Sequence, residues 1–350
     1  WPETVDRYVE FLTAERGKLI PQKVLRKIHE GVLGMRVMPS MRLLWAAGDA
    51  ARADNVTAYN CAFAEIDAIN SFSECLYILM CGAGYGFSVT GESVAKLPVV
   101  PTLTGESLGT YTVEDSRGGW AESVKQLMTA LYAGKDIDIN YGNLRARGSR
   151  LLTMGGRSSG PGPLMQLHTY IREVFEHAQG RRLKTLECHD ICNQIAEIVV
   201  VGGVRRSSQI SLSDLADEDM RWAKEHPFPL RRTMANNSAI YHERPHAVDF
   251  LREWAALAGS GTGERGIFNL VAARATSPAR RDASRIRGVN PCFTADTLIV
   301  TNQGLVPIKH LVGKATRCFD GQAWVDVDNF RVTGRGRDTV KITLHDGSEL

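Results

Sequence analysis

Gly288-Val289-Asn290-Pro291-Cys292-Phe293-Thr294-Ala295-Asp296-Thr297-Leu298-Ile299-Val300 is the stretch on which the chain turns. An Asn-Pro pair favours a turn, so Asn290-Pro291 presents a side-chain amide next to the Cys292 thiol. Cysteine is the strongest side-chain nucleophile available near neutral pH. Two patterns meet at the Pro291–Cys292 peptide bond. To its left runs a polar, glycine-started loop. To its right, Leu298-Ile299-Val300-Thr301 reads as a strand closed by Asn302-Gln303-Gly304. The bond is therefore read as the boundary between two domains, residues 1–291 and 292–350.

A length of 350 residues also favours two or more domains. The hydrophobic content of 43% and charged content of 23% are those of a globular chain with a substantial core. No apolar run reaches the roughly 18 residues that a membrane span requires. The sequence begins at Trp1 without a basic-then-apolar leader, and it reads as a piece of a longer chain. The net charge of +3 falls wholly within residues 1–291, because residues 292–350 carry seven Lys/Arg and seven Asp/Glu. So mild a bias suits small phosphate-bearing ligands and argues against nucleic acid as a partner. Seven scattered cysteines, with no Cys-x-x-Cys, fit neither a disulfide framework nor a zinc site. Cys188 and Cys192 are read as buried helix thiols, and a reducing cytoplasm is the expected location.

Working outward from the turn, apolar residues at helical spacing predict helices over 4–33, 71–80, 120–132, 164–178, 186–200 and 246–258. Pro21 opens the second of the two N-terminal helices. Asp54 to Ala64 reads as a β-like run containing Cys61, which an apolar strand can hold either as a packed core thiol or as a reactive one. Cys81-Gly82-Ala83-Gly84-Tyr85-Gly86 follows a helix rather than a strand, so it is not a dinucleotide fingerprint. Its glycines let a helix end tightly and a strand leave beneath a ligand. Residues 97–118 read as a long connection. Arg145 to Pro163, rich in Gly, Arg and Ser, offers backbone and guanidinium donors for a nucleotide phosphate, or else a surface loop. Alternation of strands and helices throughout predicts an α/β architecture.

Eight blocks in register resemble the adenosylcobalamin-dependent class II ribonucleotide reductases, most closely the monomeric ribonucleoside-triphosphate reductases. They are Pro39-Ser40-Met41-Arg42, Tyr59-Asn60-Cys61, Cys81 to Val89, Gly155 to Pro163, Gly202 to Ser213, Ala235 to Ser238, Gly261 to Asn269, and Asn290-Pro291. The resemblance implies the N-terminal part of a ten-stranded α/β barrel whose central loop carries a radical thiol. It implies Cys61 as one of two reducing thiols, Asn290 as the amide that holds the ribose hydroxyls, and Pro39, Ser40 and Asn60 at the substrate. A deoxynucleoside-triphosphate effector would meet Asp67, Arg157, Ser158, Arg205 and Arg206. Adenosylcobalamin is the implied cofactor, bound by segments outside this sequence, and a thioredoxin-like protein the implied reductant. A ribonucleoside-diphosphate reductase of the same class, or a nucleotide-binding module without chemistry, are the alternatives.

A reductase would continue its thiol with Gly-Glu, whereas this chain continues Cys292 with Phe293-Thr294. Residues 292–350 instead resemble the first part of an intein, a self-excising Hint domain of all-β type. That resemblance rests on Cys292 to Thr301, on Leu305-Val306-Pro307-Ile308 and on a hairpin with Asp346-Gly347 at its turn. It implies Cys292 as the splicing nucleophile, standing where the host's radical cysteine would follow once the insert is removed.

Overall fold

In the computed structural model the described residues are 1–16, 19–150, 157–201, 208–261, 263–290, 298–307, 310–312, 314–319 and 324–327. The chain divides into two compact units, Trp1–Pro291 and Cys292–Leu350.

The first unit opens with helices α1 (Pro2–Arg16) and α2 (Gln22–Leu33), the latter begun by Pro21. Val5 and Tyr8 of α1 pack on Val32 of α2 and on Leu44 of α3 (Met41–Ala46), forming a small core of their own. A short helix α4 (Asp49–Ala53) follows. The Asp54 to Ala64 run is only half strand. Its first part is a 3-10 turn, Asn55–Ala58, because the Asp54 carboxylate accepts the Val56 N–H at 3.1 Å. This side-chain bond offers the backbone a local alternative to the ladder. The strand β1 is Cys61–Glu65.

From there parallel strands and helices alternate. Helix α5 (Ile69–Met80) leads to β2 (Gly84–Ser88) and α6 (Gly91–Val94). The segment expected to be a plain connection contains a further strand, β3 (Ser107–Thr112). It pairs in parallel with β4 (Asp136–Asn140) across helix α7 (Arg117–Tyr132). Helices α8 (Gly162–Ala178) and α9 (Thr185–Val201) precede β5 (Gln209–Asp214). Then come α10 (Glu218–Arg221), β6 (Ala235–Tyr241), α11 (Ala247–Ser260), β7 (Gly266–Asn269) and α12 (Leu270–Ala275).

Strands β1, β2, β5, β6 and β7 form one parallel sheet in that spatial order. Its two faces differ. Alternation sends Tyr85 and Phe87 to one side, where α5, α7, α8 and α9 bury a large core with Leu76, Leu127, Ile171, Phe175 and Ile195. Each such side chain contributes roughly 1.5–3 kcal/mol on burial, which is why this face holds the helices down. Cys188 and Cys192 of α9 lie in that core, fully buried. The opposite face carries only a small cluster of Leu212, Ile240 and Leu270, joined by Phe63, Ile210, Phe268, Ile286 and Val289.

In the second unit, strands β8 (Leu298–Thr301), β9 (Gly304–Pro307), β10 (Thr316–Phe319) and β11 (Trp324–Val327) form an antiparallel sheet ordered β11-β10-β8-β9. The hairpin expected around Asp346-Gly347 lies outside the described residues.

Candidate active site

Register fixes what the open sheet face presents. Cys61 pairs with Gly84, Phe63 with Gly86, and Glu65 with Ser88. Because side chains alternate along a strand, Cys61, Phe63 and Glu65 share the face on which β2 offers Gly84 and Gly86 and thus no side chain. The result is a trough along β2. The segment Gly288 to Asn290 lies in it. A β-carbon on Gly86 would stand 3.0 Å from the Val289 carbonyl carbon and 3.1 Å from the Asn290 α-carbon, and closer still to the Val289 oxygen. Gly288 is equally confined, by the Phe63 ring and by the Leu212 δ-carbon, which would lie 2.9 Å from a β-carbon there. Backbone rests on backbone here, an approach only glycine permits. The glycine run therefore does leave room above a strand, but the chain's own Val289-Asn290 fills it.

Two residues expected at one site thus come to one face: Cys61, half-buried at the start of β1, and Asn290, held over β2. Asn60 is exposed immediately before Cys61, and its carbonyl accepts the Gly84 N–H at 2.9 Å. Ser40 is exposed and caps α3, its hydroxyl accepting the Leu43 N–H at 3.4 Å; Pro39 beside it is half-buried. Cys292 lies outside the described residues.

The turn between α5 and β2 is gripped from several directions. Arg42, in the first turn of the helix that Ser40 opens, donates to the Cys81 carbonyl at 3.3 Å and to the Gly82 carbonyl. The buried Cys81 thiol donates to Asp54 Oδ2 at 3.3 Å. Arg117 donates to the Cys81 sulfur at 3.2 Å and pairs with Asp54 at 3.0 Å. Burial pushes the Cys81 thiol up to about 12, with Asp54 adding to it and Arg117 opposing. It therefore stays protonated and serves as a hydrogen-bond donor. Asp54 and Arg117 carry no local sequence signal, since only tertiary structure brings them together.

The residues expected to meet an effector are dispersed among their own local partners. Asp67, just past β1, pairs with Lys96 at 3.4 Å. Arg157 donates to the Gly148 carbonyl at 2.9 Å, and the Ser158 N–H donates to the Ser149 carbonyl at 2.8 Å. These bonds, with an antiparallel bridge between Arg150 and Arg157, join residues 157–160 to 145–150. Arg205 and Arg206 lie outside the described residues. A cavity of about 430 Å³ opens among Leu131, Lys135, Asp136, Arg172, Glu176 and Gln179, none of them an expected effector residue.

No protein-family model matches the chain. It is 29% identical over 305 residues to the adenosylcobalamin-dependent ribonucleoside-triphosphate reductase of Euglena gracilis, covering 80% of this chain and 39% of that protein. The enzyme of the same name from Lacticaseibacillus paracasei is 28% identical over 369 residues, with 83% and 49% covered. That from Lactobacillus leichmannii is 26% identical over 343 residues, with 77% and 45% covered. The chain thus spans about half the length of the curated relatives it matches. Its fold is similar to the crystal structure of a B-12 dependent (class II) ribonucleotide reductase, with a TM-score of 0.65 at 21% identity, covering 90% of this chain and 49% of the other. The α/β fold with its parallel sheet is similar to that part of the class II reductase structure.

Proposed function

We propose that the complete protein reduces ribonucleoside triphosphates to 2′-deoxyribonucleotides, with residues 1–291 supplying the N-terminal part of its ten-stranded barrel. The observation that carries this reading is the meeting of Cys61 and the Asn290 segment on one sheet face, made possible by Gly86. The named relatives and the fold likeness support it.

In this reading the ribose lies over the open face. Asn290 holds its hydroxyls through an amide that both donates and accepts. A thiyl radical at the position following Pro291 takes the 3′ hydrogen. The C2′ hydroxyl then departs as water. Cys61 and a second thiol supply its proton, the hydrogen that replaces it at C2′ and the two electrons, ending as a disulfide. The thiol after Pro291 returns the hydrogen to C3′ and is again a thiyl radical. A thioredoxin-like protein restores the dithiol by exchange. Pro39, Ser40 and Asn60 line the substrate, and Asp67, Arg157, Ser158, Arg205 and Arg206 meet a deoxynucleoside-triphosphate effector. Adenosylcobalamin supplies the initiating radical when bound. In this reading its binding segments lie outside this sequence.

We further propose that residues 292–350 begin an intein. The unit boundary after Pro291 and the antiparallel sheet that follows Leu298 support this reading. Among the described residues, no helix is long and apolar enough to cross a membrane.

The test is Cys61→Ser in the spliced, full-length enzyme. Nucleotide binding should persist while multiple turnover disappears. Unchanged turnover would return Cys61 to a packing role, whereas nucleotide binding without any turnover in the parent would favour a nucleotide-binding module.

A further inference from the structure

We propose that Arg42 is a positioning residue for the Cys61 thiol, acting through the turn that joins α5 to β2. The inference rests on the reductase reading above.

Helix α5 ends at Met80, and its last carbonyls have no partner within the helix. The turn that follows bends through Gly82, whose φ of 71° is left-handed. Bonds from the Cys81, Gly82 and Ala83 N–H groups back to Tyr77, Leu79 and Ile78 satisfy part of the helix end. The carbonyls of Cys81 and Gly82 point the other way, and Arg42 receives both. A guanidinium suits this place twice over. Its planar fork reaches two acceptors at once, and its charge faces the negative end of the α5 dipole. Asp54 and Arg117 hold the same turn by the Cys81 thiol.

This turn is one residue away from the site. After Ala83 comes Gly84, whose N–H donates to the Asn60 carbonyl and whose backbone pairs with Cys61. The same Gly84 begins the trough that receives Asn290. Arg42 itself comes from the helix that Ser40 caps. One side chain therefore ties the Pro39-Ser40 loop, the start of β1 and the start of β2 into a single geometry. Lysine in its place would keep the charge and lose the fork.

The experiment uses Arg42→Ala and Arg42→Lys in the full-length, spliced enzyme, with Cys61→Ser as a control. Two quantities are read. One is the alkylation rate of Cys61 by iodoacetamide in the folded, reduced protein, followed by peptide mass spectrometry. The other is kcat and KM for the nucleotide. Expected are a Cys61 alkylation rate altered by about threefold or more and a kcat lowered on the order of tenfold with KM nearly unchanged. Arg42→Lys should fold like the parent and show both effects in weaker form. A wild-type alkylation rate and kcat in Arg42→Lys and Arg42→Ala would overturn the proposal, as would an altered alkylation rate with unchanged kcat. Turnover in Cys61→Ser would instead remove Cys61 from the reducing pair, and no reduction by the parent would remove the reductase reading. In either case the alkylation measurement would still report on the link from Arg42 to Cys61.

Discussion

Gly86 and Val289 are in backbone contact across the open face of the parallel sheet, with room for a hydrogen atom at Gly86 but not for a methyl group. The contact decides where Asn290 stands, since the Asn290 α-carbon would lie 3.1 Å from a β-carbon on Gly86. Phe63 and Leu212 hold Gly288 at the other end of the same short segment. A loop returning from β7 is thereby pressed onto strands that begin with Cys61 and Gly84.

Gly86→Ala should lift this segment off β2. Overpacking of this kind costs typically 1–3 kcal/mol. Hydrogen exchange in peptides spanning 284–290 should quicken, and the urea midpoint of the chain should fall. Unaltered exchange in those peptides together with an unaltered midpoint would show that the approach is looser than the geometry requires.

Glu253 is nearly inaccessible and takes charged hydrogen bonds from two arginines. Arg265 donates at 2.5 and 2.6 Å and Arg221 at 2.9 Å. Arg265 also donates to Ser213, Asp214 and Leu215 at the end of β5, so the carboxylate anchors that strand end. Burial raises the Glu253 pKa, but the two guanidiniums outweigh it and hold it below the usual carboxylate range. Glu253→Gln leaves the buried Arg265 without this counter-charge and Arg221 with Glu218 alone, and should destabilise the chain by about 3–5 kcal/mol. The parent's Glu253 contribution is present above the ordinary glutamate pKa and is lost as pH falls through the lowered one. Urea denaturation of parent and variant at neutral and acid pH checks both points; equal midpoints at neutral pH would contradict the first.

His168 joins α7, β4 and α8 from inside the core. The Ser123 hydroxyl donates to the Trp120 carbonyl at 2.7 Å, so its oxygen accepts from His168 Nε2 at 3.2 Å. Nδ1 is then the acceptor of the Tyr141 hydroxyl, at 2.7 Å. A neutral ring protonated at Nε2 satisfies both bonds. Burial, with Arg172 adding to it, lowers the pKa to about 3. The unfolded chain takes up a proton near pH 6.5 that the folded chain refuses, so stability falls as pH drops from about 6.5 toward 3. The full difference is on the order of 4 kcal/mol. His168→Gln should be less stable at pH 7 and should lose much of that slope. A variant whose stability falls with pH as steeply as the parent's would assign the slope elsewhere.

The long helices were legible because each repeats an apolar period along one segment, whereas β6, Ala-Asn-Asn-Ser-Ala-Ile-Tyr, and β7, Gly-Ile-Phe-Asn, carry no such period. Strand β3 was not legible, since nearly every residue of Ser107–Thr112 is exposed and no alternation marks it. Strand β4 reads Asp-Ile-Asp-Ile-Asn, an alternation weakened by its acidic partners. Asn55–Ala58 imitated a strand until the Asp54 side chain turned it. At the site, Cys61 and Asn290 stood out as residue types within motifs, but roughly 230 residues separate them. Their meeting depends on Gly86, whose meaning lies in what crosses above it. The hold of Arg42, Asp54 and Arg117 on Cys81 joins segments with no periodic relation to one another.

Arg157 donates to the Gly148 carbonyl and is itself exposed. If the segments it joins carry a coupling between an effector and the substrate site, Arg157→Ala should change which base is preferred more than it lowers the best rate. Coupling energies of 1–3 kcal/mol correspond to shifts of about fivefold or more in that preference. Competitive reduction of the four ribonucleotides, with and without each effector, measures it. Equal slowing of every substrate would make these segments a general binding element.

The junction at Pro291–Cys292 offers the sharpest separation of the two proposed chemistries. Splicing requires the Cys292 thiol to attack the Pro291 carbonyl, converting an amide to a thioester and freeing the Cys292 amine. Alanine has no atom that can make this bond. With the remaining insert and host sequence restored, the parent should yield a product in which Pro291 is joined to a new cysteine, the one the reductase needs for its radical. Cys292→Ala should accumulate as unspliced precursor and, lacking that cysteine beside Asn290, should show no reductase turnover. Pro291 makes its own φ rigid and restricts the residue before it, so the first acyl shift should be slow enough for precursor to be seen in the parent at early times. Intact-mass measurement over the course of expression distinguishes the species. A correctly joined host arising from Cys292→Ala would refute the intein assignment while leaving the Cys61 and Asn290 geometry untouched.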